Sequence, residues 1–537
     1  MEDAPMNGRM NSIAWRHEWA PAAARFADHT AVVDTDGAIT YAALFDHAAG
    51  VAAALADMPA DAVVATVMPN GRHAVAASYG VAMAGLTEAP INPALSPDEI
   101  AHCTRLAGAT RLLTVPEVAD RLDDLAPILD PRTVPPVPIA DLAAVHVDAD
   151  APGRIMFTSG TTGKPKGIVH THGGRWIANI LQRASLQIAP VEGCNVLLMT
   201  PYSHGASLVT QAFLDGGAAV TLLPGIDLPR VTNALEDKTV DQIFASPSVL
   251  VRFAEAFAGR DYRHIRAIYT GTAPLTPDVY HAAKAIFGPV VRITYGKTET
   301  FNPITVLTPA ETDRWYASPA AAASNCVGWP ASGVEIALGD DDDPDGAAPA
   351  GDDRAAPRPI LLRAQHMMAA EIGPNGITRR PPDGFHRTGD LGFIDAEGRL
   401  HLAGREADVI KTGGYRVTPD EIEAQLRPAM PGGELVVLSL PSAYWGEIIT
   451  AVAAGAPEGW EAALAPALEA MTKHKRPRLF VDVEAIARNG LGKVVRNRTR
   501  EAVLARYRVV DGRYPALEPL ADTAHVDSMA EPVHSPK

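Results

Sequence analysis

The segment Ile155-Met-Phe-Thr-Ser-Gly-Thr-Thr-Gly-Lys-Pro-Lys-Gly167 constrains this chain more than any other stretch. A run with strand character, Ile155–Thr158, passes straight into a turn carrying the hydroxyls of Thr161 and Thr162, with Gly160, Gly163, Lys164 and Lys166 around them. Chains that leave a strand into such a loop belong to α/β sheets, which bind ligands beyond the carboxyl ends of their strands. Glycines let the backbone approach an anion closely, and exposed N–H groups in succession form a nest for phosphate oxygens. The spacing is not that of a Walker loop: Gly160 and Gly163 stand too close, and Pro165 follows Lys164 where Ser or Thr is needed. A generic Gly/Thr turn is the alternative, and the length of the pattern weighs against it.

The rest of the chain supports an α/β reading. Residues 1–150 alternate short strands with Ala-rich helices: a β-branched run Val63–Met68, a helix around His73–Gly85, and a strand Thr110–Val115. Beyond the glycine-rich segment come strand candidates Val196–Met199, Ala218–Leu223, Ala267–Thr270 and Val291–Tyr295, each followed closely by Gly, Pro or Ser. Gly339–Pro359 interrupts the pattern as an acidic, Ala/Pro/Gly-rich stretch without apolar periodicity, read as a solvated insertion. Thr418-Pro419-Asp420-Glu421 opens a helix, with Pro at its first position and Thr418 and Glu421 spaced for a capping box. Strands Leu435–Leu440, Ile448–Ala453 and Leu479–Val483 and helices Trp460–Thr472 and one ending near Arg506 follow, enough for a small core of their own. The expected architecture is therefore a large N-terminal multi-sheet α/β region (1–404), a hinge (405–408), a small mobile C-terminal α+β domain (409–513) and a loose tail (514–537).

Composition excludes several functions. With 47 Lys and Arg against 63 Asp and Glu, a net charge of −16 argues against a nucleic-acid or anionic-membrane partner. Cys103, Cys194 and Cys326 lie far apart without metal-ligand spacing, which fits a reducing cytoplasm and no disulfide framework. No apolar run is long enough for a membrane span, and the start lacks the apolar core of a signal peptide.

From Ile39-Thr-Tyr41 to Arg496, the chain resembles the superfamily of acyl- and aryl-CoA synthetases, peptide-synthetase adenylation domains and luciferase, with the motifs in that family's order. The resemblance implies an enzyme that uses MgATP to make an acyl-adenylate and passes the acyl group to a thiol, coenzyme A in the first instance. By resemblance, Thr158, Ser159, Gly160, Thr161, Thr162, Gly163, Lys164 and Lys166 wrap the ATP phosphates. In Tyr295-Gly-Lys-Thr-Glu299, Tyr295 and Gly296 lie against adenine and Thr298 meets the α-phosphate. Glu299, with Thr161, offers the hard oxygens that Mg²⁺ prefers. His386-Arg-Thr-Gly-Asp390 places a carboxylate where the family holds both ribose hydroxyls, a role its acceptors suit. Gly404-Arg405-Glu-Ala-Asp408 and Lys411-Thr-Gly-Gly-Tyr-Arg416 match the family's domain junction. There Arg405, Gly413, Gly414, Tyr415 and Arg416 would serve the second half-reaction, although Gly413 and Gly414 also suit a plain hairpin turn. Arg488-Asn-Gly-Leu-Gly-Lys493 matches the catalytic lysine motif, because a cation is needed where negative charge builds at the α-phosphorus. The basic cluster Lys473-His-Lys-Arg-Pro477 corresponds to a stretch near the nucleotide end of CoA in relatives.

The acyl pocket is expected from Tyr202, His204, Gly205, Gly271, Thr272, Ala273 and Lys297, with His204 as a gate and Gly205, Ala206 and Gly271 leaving room for a bulky acid. Two departures stand out: Lys297 inside the Glu299 loop, and Ala407 at a pivot where the family usually has Asp or Lys. They leave room for an enzyme that performs only thioesterification. Loading of a carrier protein, a luciferase-like oxidation and a nucleotide-binding pseudoenzyme are further alternatives, as are monomer and homodimer.

Overall fold

The computed structural model describes residues 11–122, 125–159, 165–271, 273–322, 324–339, 357–381, 384–488 and 493–520. Two large sheets carry the N-terminal part. One has eight strands, with Thr87–Pro90, Val63–Val67, Ala109–Thr114 and Ile128–Leu129 running parallel beside Pro152–Ser159. The other has seven, and its run of Val291–Ile293, Ala267–Thr270, Gln242–Phe244, Asn195–Leu198, Ala219–Leu222 and Thr30–Asp34 is parallel throughout. Strands such as Val63–Val67 and Ala219–Leu222 are mostly apolar because both faces of such a sheet are covered.

Helices Tyr41–Ala54 and Arg72–Met83 pack closely because Gly80 lacks a side chain: a Cβ there would lie 2.6 Å from that of Val51 and 2.8 Å from the Ala48 carbonyl. Thr40 caps the first helix by accepting from the Ala43 amide. The Tyr41 hydroxyl donates to the carbonyls of Leu214 (3.0 Å) and Ala218 (2.7 Å), tying that helix to the seven-stranded sheet. Trp15, Trp19, Phe45 and Tyr79 fill the interior in successive ring contacts. The three cysteines are buried free thiols, and no described helix is long and apolar enough to cross a membrane.

A six-stranded antiparallel sheet between Thr305 and Arg405 completes the N-terminal part and carries the Asp390 strand, His386–Ile394. The C-terminal five-stranded sheet joins the Ile410–Thr412/Tyr415–Val417 hairpin to Gly446–Ala454 and Glu434–Ser442, with Leu479–Val483 parallel at the side. Ile410, Ile422, Leu426, Val437, Ile449 and Trp460 form a core of its own.

Two local expectations need correction. Pro419–Leu426 is a helix, but Thr418 does not cap it and its hydroxyl is buried without a partner. Glu421, which would have closed the capping box, is drawn to the Lys475 ammonium instead. The chain beyond 514 is not a loose tail throughout: Ala516–Pro519 pairs antiparallel with Tyr507–Val510.

Candidate active site

The candidate site lies where the Tyr295–Glu299 loop meets the strand Pro165–Thr171 and the Asp390 strand. Thr158 and Ser159 end the strand Pro152–Ser159, and the next strand, Pro165–Thr171, returns antiparallel with Ser159 opposite Pro165. The glycine-rich loop is thus the connection of a hairpin. Gly160, Thr161, Thr162, Gly163 and Lys164 lie outside the described residues. Lys166 sits on the returning strand and forms an ion pair with Glu371 (2.8 Å).

Tyr295–Glu299 leaves the edge strand Val291–Ile293 of the seven-stranded sheet. Gly296 lies close against Asn302, whose side-chain oxygen would be 2.5 Å from a Cβ at that position. The loop is pinned from below by His170, whose Nε2 donates to the Thr298 carbonyl (2.8 Å) while its ring stacks on Phe301 at 3.8 Å. His170 therefore couples the glycine-rich hairpin to the Glu299 loop. It was not legible in the sequence; the only signal is an imidazole at a buried position of an otherwise apolar strand.

Burial pushes the His170 pKa down to about 3, so the ring is neutral. The unfolded chain, with an ordinary imidazole near pH 6.5, binds more protons, and folding stability must fall as pH drops through that value. At about pH 5 the loss from this one group is about 2 kcal/mol. Denaturant unfolding of His170→Gln, which keeps a donor for Thr298, should show a flatter dependence between pH 7 and pH 5 than the parent. Equal slopes would contradict the assignment.

Asp390 gathers the rest. Its carboxylate is buried and accepts from the Tyr295 hydroxyl and from Lys297 Nζ (3.1 Å). Arg405 lies directly opposite on the neighbouring strand, with Nε 3.6 Å from the second carboxylate oxygen. Burial and this carboxylate together hold the Tyr295 hydroxyl well above its usual pKa, so it donates as a neutral phenol. Lys493 reaches the same cluster from the C-terminal part. Burial and then the like charges of Arg405 and Lys297 lower its pKa, and Asp390 and Glu299 oppose that shift.

His204 lies in the turn Tyr202–Ala206, with non-helical backbone angles (φ −122°, ψ −140°). Burial, then Arg154 and Lys493, push its pKa down to about 4, so the ring is neutral. The turn is held from behind: Arg154 donates to Ser207 Oγ (2.8 Å), which donates to the His204 carbonyl (2.7 Å). Tyr202 is buried in the core, its amide donating to Asn70 Oδ1 (2.7 Å). Gly205 faces Phe244, with ordinary contact distance for a Cβ. At Gly271 a Cβ would sit 1.8 Å from the Thr294 carbonyl, so glycine is what allows the backbone to approach there. Ala273 is exposed, and Thr272 lies outside the described residues.

The junction residues divide between two surroundings. Glu406 forks with Arg387 of the Asp390 strand (2.8 Å), whereas Asp408 pairs with Arg496 of the C-terminal part (3.0 Å). Ala407 stands exposed between these two clamps. Gly413 and Gly414 form the hairpin turn, both at positive φ. Gly413 donates to the Trp445 carbonyl, and Tyr415 stacks on His474 of the basic cluster at 4.2 Å. Tyr415 and Arg416 are exposed.

Residues 19–352 match the family described as AMP-binding enzyme. The chain belongs to that family. A long-chain fatty acid–CoA ligase of Mycobacterium tuberculosis is 29% identical over 491 residues, covering 87% of this chain and 93% of the relative. A Rhodococcus jostii CoA ligase for a methyl-dioxo-octahydroindenyl propanoate is 27% identical over 526 residues, covering 89% and 97%. Among solved structures, the o-succinylbenzoate CoA synthetase of Bacillus subtilis with its acyl-adenylate superposes with a TM-score of 0.76 at 22% identity, covering 91% of this chain and 99% of that one. An anthranilate CoA ligase with anthranoyl-AMP gives 0.78 at 21%, covering 92% and 98%. The fold is that of the adenylate-forming enzymes, with a large N-terminal part and a smaller C-terminal one, and the chain is an AMP-forming acid–thiol ligase.

This chain's residues fit the reactants of such a ligase. Mg²⁺ needs only one or two carboxylates beside phosphate and water oxygens. Glu299 would be one such carboxylate, and no three His, Cys, Asp or Glu side chains converge into a protein cage among the described residues.

Proposed function

We propose that this chain joins a carboxylic acid to coenzyme A in two half-reactions, with Lys493, Glu299 and Asp390 serving the first. The supporting observation is that Lys493, from the C-terminal part, shares one electrostatic cluster with Asp390, Glu299, Lys297 and Arg405 of the N-terminal part. In the first step the acid's carboxylate attacks the α-phosphorus of ATP and pyrophosphate leaves. Asp390 holds the ribose, Thr298 meets the α-phosphate, and the Lys493 ammonium balances charge that builds there. Neutral His204 borders the acid without competing for its carboxylate as a cation would. Bound Mg²⁺ would be held through Glu299 and supply charge neutralisation at the phosphates. In the second step a thiolate attacks the acyl carbon and AMP leaves.

CoA is favoured over a carrier protein because Tyr415 of the junction hairpin stacks against the basic cluster, which also holds Lys473, Lys475 and Arg476. Cations there suit the phosphates of CoA's nucleotide end. The acid is open. Pyrophosphate release with fatty, aryl and polycyclic acids, followed by thioester formation on free CoA or on a phosphopantetheinyl carrier protein, tests the reading. Thioester only on the carrier would contradict it.

The junction, 405–408, is proposed as the hinge between 1–404 and the C-terminal domain. Ala407 lacks the polar contacts by which a charged pivot would favour one arrangement over the other, while the clamps on either side hold each flank to its own body. Ala407→Asp and Ala407→Lys should therefore change the ratio of adenylation to thioesterification rates by roughly three- to tenfold. Both half-reactions unchanged, each measured alone, would refute the pivot role.

A further inference from the structure

Lys297 stands inside the Glu299 loop, yet its ammonium turns to the Asp390 strand. It donates to the Thr388 carbonyl (2.7 Å) and to Asp390 Oδ2 (3.1 Å), with the lysine and aspartate side chains 13% and 12% exposed. The Tyr295 hydroxyl donates to the same oxygen. A carboxylate oxygen offers about two acceptor positions, so Oδ2 is filled by the protein itself. Among the described residues, Oδ1 meets only Arg405, at 3.6 Å and beyond hydrogen-bonding distance, which leaves it to a ligand.

We propose that Lys297 is a positioning residue for ribose recognition: it locks the Asp390 carboxylate through Oδ2, leaving Oδ1 to receive the ribose hydroxyls. The inference rests on the ribose role given to Asp390 above. Two physical effects act in the same direction. The lock is made by the protein's own groups, so ordering the carboxylate is not charged against binding. The ammonium also offsets a buried anion, close to Glu299, that would otherwise repel an incoming polyphosphate. Removing it frees Oδ2 as an acceptor, but at the cost of a carboxylate that can rotate and an anion with one fewer neutralising partner.

The full-length enzyme should be assayed for pyrophosphate release at a saturating accepted acid, with ATP, 2′-deoxyATP and 3′-deoxyATP as the varied substrate. Parent, Lys297→Met, Lys297→Arg, Asp390→Ala and the Lys297→Met/Asp390→Ala double variant are compared. Lys297→Met should raise KM for ATP about tenfold, the scale of one charge-assisted hydrogen bond, with kcat changed less than about threefold. It should also narrow the preference for ATP over the deoxynucleotides. Lys297→Arg should recover most of both. In the Asp390→Ala background, Lys297→Met should change KM by less than about twofold, because the two residues act through one contact. Where Lys297→Met does not fold, Lys297→Gln, uncharged but still a donor for Thr388, takes its place. Full ribose preference in the Lys297 variant, or additive effects in the double variant, overturns the proposal. Undiminished ribose preference in Asp390→Ala itself would instead overturn the ribose assignment, and the proposal with it.

Discussion

Lys493→Ala should slow adenylation by about 10²–10³-fold, the scale for losing one preorganised electrostatic contact. The same variant, given chemically made acyl-adenylate and CoA, should form thioester at close to the parental rate. The asymmetry follows from where charge develops. During attack on the α-phosphorus, negative charge accumulates beside the Lys493 ammonium, whose neighbours include Asp390 and Glu299. During thiol attack the charge develops on the acyl carbonyl oxygen and then on the departing AMP, and a lysine that the proposed rotation about the 405–408 junction carries away would have no part in it. Lys493→Arg keeps the charge but not the compact geometry, and should recover only part of the rate. Its pH dependence carries a second signature. Burial and the cations Arg405 and Lys297 lower the Lys493 pKa, so the ammonium is lost at a lower pH than an ordinary lysine's. The alkaline limb of the adenylation rate should fall earlier than free lysine would predict, and Lys493→Arg should push it upward. Equal losses in both half-reactions would mean that Lys493 serves both steps or supports structure.

Glu299→Gln should reduce adenylation about 10²-fold at a fixed Mg²⁺ concentration and raise the Mg²⁺ concentration needed for half-maximal rate. The amide keeps the shape of the side chain but removes the formal charge that a hard dication prefers. The main-chain support is independent of that charge, because the Glu299 carbonyl accepts from the Met368 amide and His170 holds the adjacent Thr298 carbonyl. Loss of activity without folding damage is therefore expected, and melting behaviour checks it. An unchanged Mg²⁺ dependence would remove Glu299 from the metal.

Legibility in the sequence followed burial. Ala267–Thr270, Val63–Val67 and Asn195–Leu198 pair with parallel neighbours and are mostly buried, so each reads as a short, mostly apolar run. The antiparallel sheet between Thr305 and Arg405 was not read as such. Its strands are interrupted by Gly328, Pro359 and Gly392 and carry buried polar residues such as Thr388, Asp390 and His401. In the candidate site, Tyr295–Glu299, Asp390 and Lys493 stand out in the sequence by residue type within a motif rather than by periodicity, Asp390 from within a strand. Their partners were not. His170 on Thr298, Glu371 on Lys166, Arg387 on Glu406 and Arg154 behind His204 are pairings between segments distant in sequence, and no local pattern marks them. Glu421 shows the reverse error: a local capping pattern was complete, and Lys475 overrode it.

The most direct test of the account is a single turnover of the full-length enzyme with MgATP and an accepted acid, first without CoA. Pyrophosphate and enzyme-bound acyl-AMP should appear in equal amounts and then stop. Adding CoA should convert the acyl-AMP to acyl-CoA with equimolar AMP. Formation of ADP and phosphate, or of acyl-CoA with no acyl-AMP preceding it, would contradict the two-step reading of the Asp390–Glu299–Lys493 site.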